Sequence, residues 1–375
     1  MKEQYNMENF HILDTIGYGS YGKVVKVRNK KTNKLYALKN INVLAKGQKE
    51  RHNILVELHI LAYCKCPFIL KLHHCIYQNY IVGIITSYLE KGDLNRVIKT
   101  YNDDGCYLPE SLIWSYFIQI CYALEYLHKN NIIHRDIKTR NILVSHNNYI
   151  KVGDFGVSKI LKKGKLASTV IGTPVYMSPE IINSNLYDHK IDIWSLGCVL
   201  YEMIMLKPPF NSKSIYHLMK NINSVSYPKI INKCNYSSSL LDLVSKLLKL
   251  NPKERLSVKN ILALNSISSR IHLAPAYNRN SHYHDIPVIP NYINNWHRIV
   301  ELYNKKYPIR YEHRKLEPYR PIKHEPKKVE PYRPINKRSK LYNKNKKDIL
   351  LLKIGSKHES KYQQVFNNYQ VLPNI

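Results

Sequence analysis

An α+β fold, with a small β-rich lobe ahead of a larger, mostly helical one, is predicted by three features of this chain. From Phe10 to Ile85 the apolar runs are mostly short and rich in β-branched and aromatic residues. One helical stretch interrupts them, Gln48 to Tyr63, where Ile54, Leu55, Leu58 and Leu61 recur at helical spacing. After Asp93 the strongest patterns are helical.

In chain order, Phe10-His11-Ile12-Leu13 reads as a strand entering the run Gly17-Tyr18-Gly19-Ser20-Tyr21-Gly22. A G-x-G-x-x-G run opens a helix in dinucleotide-binding folds, but here Lys23-Val24-Val25-Lys26-Val27 follows and alternates like a strand. The glycines therefore cap a hairpin, either a plain turn or one whose backbone N–H groups approach phosphate oxygens closely. Leu35-Tyr36-Ala37-Leu38-Lys39 is a further strand, followed by the helix over Gln48–Tyr63 and strands around Cys75-Ile76-Tyr77 and Ile81–Ile85. Pro109-Glu110-Ser111 introduces an amphipathic helix from Leu112 to Lys129. Ile142–Val144 and Tyr149–Val152 are short strands, and Ile191–Leu206 is an apolar helix opened by Asp192.

The 375 residues, 44% of them hydrophobic, can bury a large core. No run approaches the 18 or so apolar residues of a membrane span. The polar, acid-containing start Met1-Lys2-Glu3-Gln4 is unlike a secretory signal. Seven scattered cysteines with no C-x-x-C pair suit free thiols in a reducing compartment. Net charge is +31, and from residue 268 onward 22 Lys+Arg face 8 Asp+Glu, so the excess is spread over the whole chain. Such a charge attracts nucleic acid, anionic membrane or acidic protein. A lysine-, asparagine- and isoleucine-rich composition explains it equally well.

The chemistry concentrates in His134-Arg135-Asp136-Ile137-Lys138-Thr139-Arg140-Asn141-Ile142-Leu143-Val144 and in Asp154-Phe155-Gly156. Two carboxylates, a lysine and an amide on neighbouring loops supply what moving the terminal phosphoryl group of ATP to a hydroxyl needs. These are a base near the acceptor, a cation on the phosphates and oxygen ligands for magnesium. Lys39 closes an apolar strand and gains a role if paired with Glu57, which shares a helical face with Leu61. Glu50 is the competing partner, about two turns earlier and off the apolar stripe.

These residues, in this order, resemble the signature of eukaryotic protein kinases: Gly17, Gly19, Gly22, Val24, Ala37-Leu38-Lys39, Glu57, His134-Arg135-Asp136, Lys138, Asn141, Asp154-Phe155-Gly156, Ser178-Pro179-Glu180, Asp192 and Arg255. The match covers residues 10–265. Within that fold, Gly172-Thr173-Pro174-Val175-Tyr176-Met177-Ser178-Pro179-Glu180 and Asp192-Ile193-Trp194-Ser195-Leu196-Gly197-Cys198 look most like the NIMA-related serine/threonine kinases. The resemblance implies a bilobal kinase fold that uses ATP and Mg2+ to phosphorylate serine or threonine of protein substrates.

It also implies roles. Asp136 is the base, with Lys138 beside it on the transferring phosphoryl group; Lys39, held by Glu57, grips the ATP phosphates, and Asn141 and Asp154 bind magnesium. Ile16, Gly17, Tyr18, Gly19, Ser20, Tyr21, Gly22, Lys23, Val24, Ala37, Thr86 as gatekeeper and Leu143 line the nucleotide, with Ser87 to Leu89 as hinge. Thr173 contacts the catalytic loop, and Glu180 and Arg255 form a structural ion pair. Thr139 stands where many kinases have proline, and Ser87 where an acid is common. For regulation, Thr169 is the favoured activation-segment phosphosite, ahead of Ser158 and Ser168, with Arg135 as its cation.

Residues 1–9 are read as a short extension and 266–375 as a basic, largely disordered tail. The tail holds two Glu-Pro-Tyr-Arg-Pro-Ile copies (Glu317–Ile322 and Glu330–Ile335) and the cluster Lys337-Arg338-Ser339-Lys340. Such a tail suits contacts with acidic proteins or nucleic acid. The expected location is intracellular, cytoplasmic or nuclear, in a host cell if the source is viral. Rival readings are a catalytically silent kinase-fold scaffold and a nucleic-acid-associated protein.

Overall fold

The computed structural model describes residues 7–19, 22–78, 80–160, 172–230 and 234–277. The N-terminal part is a five-stranded antiparallel sheet of β1 (Phe10–Gly19), β2 (Gly22–Asn29), β3 (Leu35–Asn42), β4 (Leu72–Gln78) and β5 (Ile81–Ser87), in the order β1-β2-β3-β5-β4. Helix α1 (Gln48–Tyr63) lies between β3 and β4 in the chain. Alternation along the strands sends Phe10, Val25, Val27, Leu38, Ile76 and Ile85 into one apolar core. The G-x-G-x-x-G run is a hairpin, with Gly19 opposite Gly22 across β1 and β2. Gly22 must be glycine, because a Cβ there would lie 2.0 Å from the Asn40 carbonyl oxygen of β3.

The remainder is helical, built from α2 (Leu94–Asp103), α3 (Glu110–Lys129), α4 (Pro179–Ile182), α5 (Lys190–Met205), α6 (Ile215–Asn223), α7 (Ser238–Leu247), α8 (Val258–Leu262) and α9 (Asn265–Ser268). Short strand pairs punctuate it: β6 (Ile132–Ile133) with β9 (Lys159–Ile160), and β7 (Ile142–Val144) with β8 (Ile150–Val152). The sequence marks α3 as amphipathic, yet it is buried on all sides from Ile113 to Leu127. Its polar residues find internal partners instead of water. Gln119 Nε2 donates to the Asn148 carbonyl at 3.1 Å, and its Oε1 accepts from Ile150 N at 2.9 Å. A helix enclosed in this way is a core element, as α5 also is.

Ordered structure runs past the boundary expected at residue 265. Ile267 is buried in α9, the Arg270 guanidinium lies 5.0 Å from the Trp114 ring centre, and the Tyr277 ring sits 5.4 Å from Phe68 and 5.1 Å from Tyr122. The first residues of the expected tail are thus part of the packed domain. The Glu-Pro-Tyr-Arg-Pro-Ile copies, Thr169 and Ser168 lie outside the described residues. All seven cysteines are free thiols. Among the described residues no helix is long and apolar enough to cross a membrane.

Candidate active site

Strand period sorts the expected lining residues onto one face of the sheet. Leu38 points into the sheet core, so Ala37 and Lys39 share the opposite face of β3. Lys39 pairs in register with Val24 of β2, and Ala37 with Thr86 of β5, which brings four of the expected lining residues together. Lys39 Nζ lies 2.9 Å from both carboxylate oxygens of Glu57 and 3.9 Å from Asp154 Oδ1. Burial pushes the Glu57 carboxyl up; the Lys39 charge opposes this and the Asp154 charge adds to it. Glu50 is taken elsewhere, 3.5 Å from Lys46 and accepting from Gly47 N at 2.9 Å. Ile16 and Tyr18 project exposed from β1, Lys23 lies at the start of β2, and Leu143 lies in β7 facing Asp93 across a single bridge. Ser20 and Tyr21 lie outside the described residues.

The loop from β6 to β7 holds Arg135 in the left-handed region at φ 69°, and Asp154 on the neighbouring loop is also left-handed at φ 58°. Such conformations cost about 1–2 kcal/mol each in a non-glycine residue and need support. Buried Asp192 supplies it for the first loop. Its Oδ1 accepts from Arg135 N at 2.9 Å, and its Oδ2 accepts from His134 N at 3.0 Å and from His128 Nε2 at 2.9 Å. Burial alone would raise the Asp192 carboxyl; His128, His134 and the Arg135 amide together outweigh it and hold the group below its ordinary value. His134 Nε2 then donates to the Gly153 carbonyl at 3.0 Å, and Gly153 N donates to the Asn141 carbonyl at 2.9 Å. The two loops are stitched together just ahead of Asp154.

Asp136 is surrounded by donors. Lys138 Nζ at 2.7 Å and Asn141 Nδ2 at 3.0 Å reach Oδ2, while Thr173 N at 3.0 Å and Oγ1 at 2.8 Å reach Oδ1. Lys138 Nζ also donates to Thr173 Oγ1 at 2.7 Å. Gly172 makes this approach possible: at φ 118° it passes so close that a Cβ would sit 2.9 Å from the Arg135 carbonyl oxygen. Asn141 directs its amide nitrogen at Asp136, which leaves its oxygen as the atom for a cation, and Asp154 offers a carboxylate nearby. A hard, oxygen-seeking ion such as magnesium fits that donor set.

Ser158 is removed from the phosphosite candidates. It is buried, and its hydroxyl donates to the His134 carbonyl at 3.0 Å. The Arg135 guanidinium donates to the Val157 and Ser158 carbonyls and, at 3.2 Å, to the Tyr187 hydroxyl. At the hinge, Ser87 Oγ lies 2.9 Å from His73 Nε2. Burial, reinforced by Lys71, His74, Lys151 and Lys34, lowers His73 to about 4, so its ring is neutral near pH 7. Sequence reasoning missed His73 and His128, since each meets its partner, Ser87 or Asp192, only in the folded chain.

The protein kinase domain model matches residues 10–265. The chain belongs to the protein kinase domain family. It is 43% identical over 263 residues to a probable serine/threonine-protein kinase nek3 of Dictyostelium discoideum, a match covering 69% of this chain and 23% of that one. It is 39% identical over 266 residues to mouse serine/threonine-protein kinase Nek1 (71% and 22%) and 38% identical over 263 residues to mouse Nek4 (70% and 33%). The chain therefore spans between about a fifth and a third of the length of these relatives.

Proposed function

We propose that this protein transfers the γ-phosphoryl group of ATP to serine or threonine hydroxyls of protein substrates. The observation that carries the reading is the Asp136 carboxylate, held among Lys138, Asn141 and Thr173 while the Lys39–Glu57 pair and Asp154 stand nearby. The acceptor hydroxyl approaches Asp136, which takes its proton as the oxygen attacks the γ-phosphorus and the bond to the β–γ bridging oxygen breaks, releasing ADP. Lys39 neutralises phosphate oxygens of ATP, and Lys138 stabilises charge on the group in flight. Asn141 and Asp154 would hold magnesium, which supplies charge neutralisation on the phosphates when bound. The likeness to serine/threonine kinases and Lys138 beside the base support an aliphatic rather than a phenolic acceptor.

Residues 10–265 with their packed continuation to Tyr277 would form the catalytic body, and 278–375 a basic tail for acidic partners. Regulation would run through Thr169, whose phosphate would take Arg135 from the Val157 and Ser158 carbonyls and order the activation segment. The test is phosphate incorporation from Mg-ATP into a generic basic protein, followed by phosphoamino acid analysis. Phosphoserine and phosphothreonine with the wild-type chain and neither with Asp154→Asn are expected. Equal incorporation by both would refute the reading, and silence of the wild type would leave the scaffold reading. Thr169→Ala retaining full activity would remove the regulatory part alone.

A further inference from the structure

We propose that Thr139, the residue where many kinases carry proline, is a positioning residue for the acceptor side of the reaction. Resting on the kinase reading above, this assigns its hydroxyl the task of clasping the catalytic loop to the segment that faces Asp136. Thr139 opens a single 3-10 turn, Thr139–Asn141, and is fully buried. Its Oγ1 lies 3.1 Å from the Tyr176 hydroxyl and donates to Glu202 Oε1 at 3.3 Å. The Tyr176 hydroxyl donates to Glu202 Oε2 at 2.5 Å. Glu202 is a buried carboxylate on α5, so each of its oxygens has a hydroxyl from a different segment.

The consequence follows from sequence distance. Thr139 is three residues past Asp136, and Tyr176 is three residues past Thr173. Asp136 and Thr173 are joined at 2.8 and 3.0 Å. The two short segments are therefore clasped at both ends, by Asp136 and Thr173 at the reacting end and by Thr139, Tyr176 and Glu202 at the buried end. The buried clasp is fixed in turn to α5, where Ser195 Oγ donates to the Tyr176 carbonyl at 2.9 Å. An incoming hydroxyl must enter at the first clasp and displace a donor from Asp136. The second clasp keeps the two segments in register while the first is loosened. Proline offers no hydroxyl to make it, whereas threonine does. Neither Lys39, Glu57 nor Asp154 belongs to this ring, so the effect falls on the acceptor and not on the nucleotide.

Steady-state kinetics of the full chain with a generic basic protein substrate, alongside thermal melting, tests this. Thr139→Val should lower kcat/KM for the protein substrate about tenfold, the scale on which one buried hydrogen bond is felt. The KM for Mg-ATP should stay within about twofold. Thr139→Ser should restore the wild-type value. Tyr176→Phe should show a similar loss, and the double variant Thr139→Val/Tyr176→Phe should be no worse than the poorer single one, because both open the same clasp. Tyr176→Phe alone carries the test if Thr139→Val fails to fold. An active wild type matched by Thr139→Val, a Thr139→Ser chain as poor as Thr139→Val, or losses that multiply in the double variant would each overturn the proposal. A wild type that transfers no phosphate overturns the kinase reading itself, and the proposal with it.

Discussion

Glu57 and Glu180 are both buried carboxylates holding a cation from a distant part of the chain, one beside the sheet and one among the helices, and they are built in opposite ways. Glu180 accepts from Arg255 Nη1 at 2.6 Å and Nη2 at 2.8 Å. The same guanidinium donates to the carbonyls of Lys249, Lys190 and Leu250, and lies 5.0 Å from the Trp194 ring centre. All five of its N–H donors are accounted for, in the fixed fork that suits arginine to structural work. Glu57 instead meets an ammonium on a flexible stem, equidistant from both oxygens and within 3.9 Å of a second carboxylate on Asp154. A guanidinium fastened to three backbone carbonyls has no freedom to meet a ligand. A lysine between two carboxylates, on a flexible stem, keeps a range of positions that the fixed fork does not. Similar burial thus fixes the cation in one place and, on the proposed kinase reading, serves chemistry in the other.

The strongest way to break this contrast is Arg255→Ala. It strands a buried carboxylate and three carbonyls, so unfolding free energy should fall by about 3–5 kcal/mol, read as a lower denaturation midpoint. Lost activity should track the lost folded fraction. Lys39→Met should behave in reverse: kcat should fall by about two to three orders of magnitude, as removing one charge-stabilising donor does, while melting falls much less than in Arg255→Ala. If Lys39→Met melts as far below the wild type as Arg255→Ala does, the contrast is wrong.

A pH series sharpens the Lys39 side. Burial raises the Glu57 carboxyl above its ordinary 4.5, against the pull of Lys39. A raised acid favours the folded state below the unfolded value, and that contribution is lost as pH climbs through the folded one. Lys39→Met removes the opposing charge, so the folded value moves higher and the loss continues to higher pH, at up to about 1.4 kcal/mol for each pH unit crossed. The stability gap between Lys39→Met and the wild type should therefore widen from pH 5 to pH 8 in denaturant titrations. A gap of constant size would mean that Lys39 does not govern Glu57.

What the sequence disclosed here was local, or periodic. The bounds of α1, the turn between β1 and β2, and the shared face of Ala37 and Lys39 follow from patterns that a few residues contain. Lys39 and Glu57 could be paired because one helical face carries both the acid and Leu61. The enclosure of α3 was hidden, since Gln119 is satisfied by Asn148 and Ile150, which only folding brings alongside. The partners of Thr139 were hidden for the same reason: Tyr176 and Glu202 stand 37 and 63 residues away. The packing of Tyr277 was hidden too, because it is held by rings from two other parts of the chain, and nothing near it in the chain signals that.

Tyr277 also gives the smallest and most discriminating prediction. Its ring is half-buried against Tyr122 of α3 and against Phe68, in the loop that leaves α1 for β4. Tyr277→Ala should lower stability by about 1–2 kcal/mol, the worth of two aromatic contacts, measured as a shift in denaturant midpoint. That loop, however, has its own attachment to β8: Val152 N donates to the Phe68 carbonyl at 2.8 Å, and Leu70 N donates to the Val152 carbonyl at 2.9 Å. Those backbone bonds survive the substitution, so α1 and Glu57 should stay in place and kcat should change less than about twofold. A tenfold fall in kcat would show that the Lys39–Glu57 pair is braced from the C-terminal side. The freedom of that lysine would then be set by residues beyond the matched stretch 10–265.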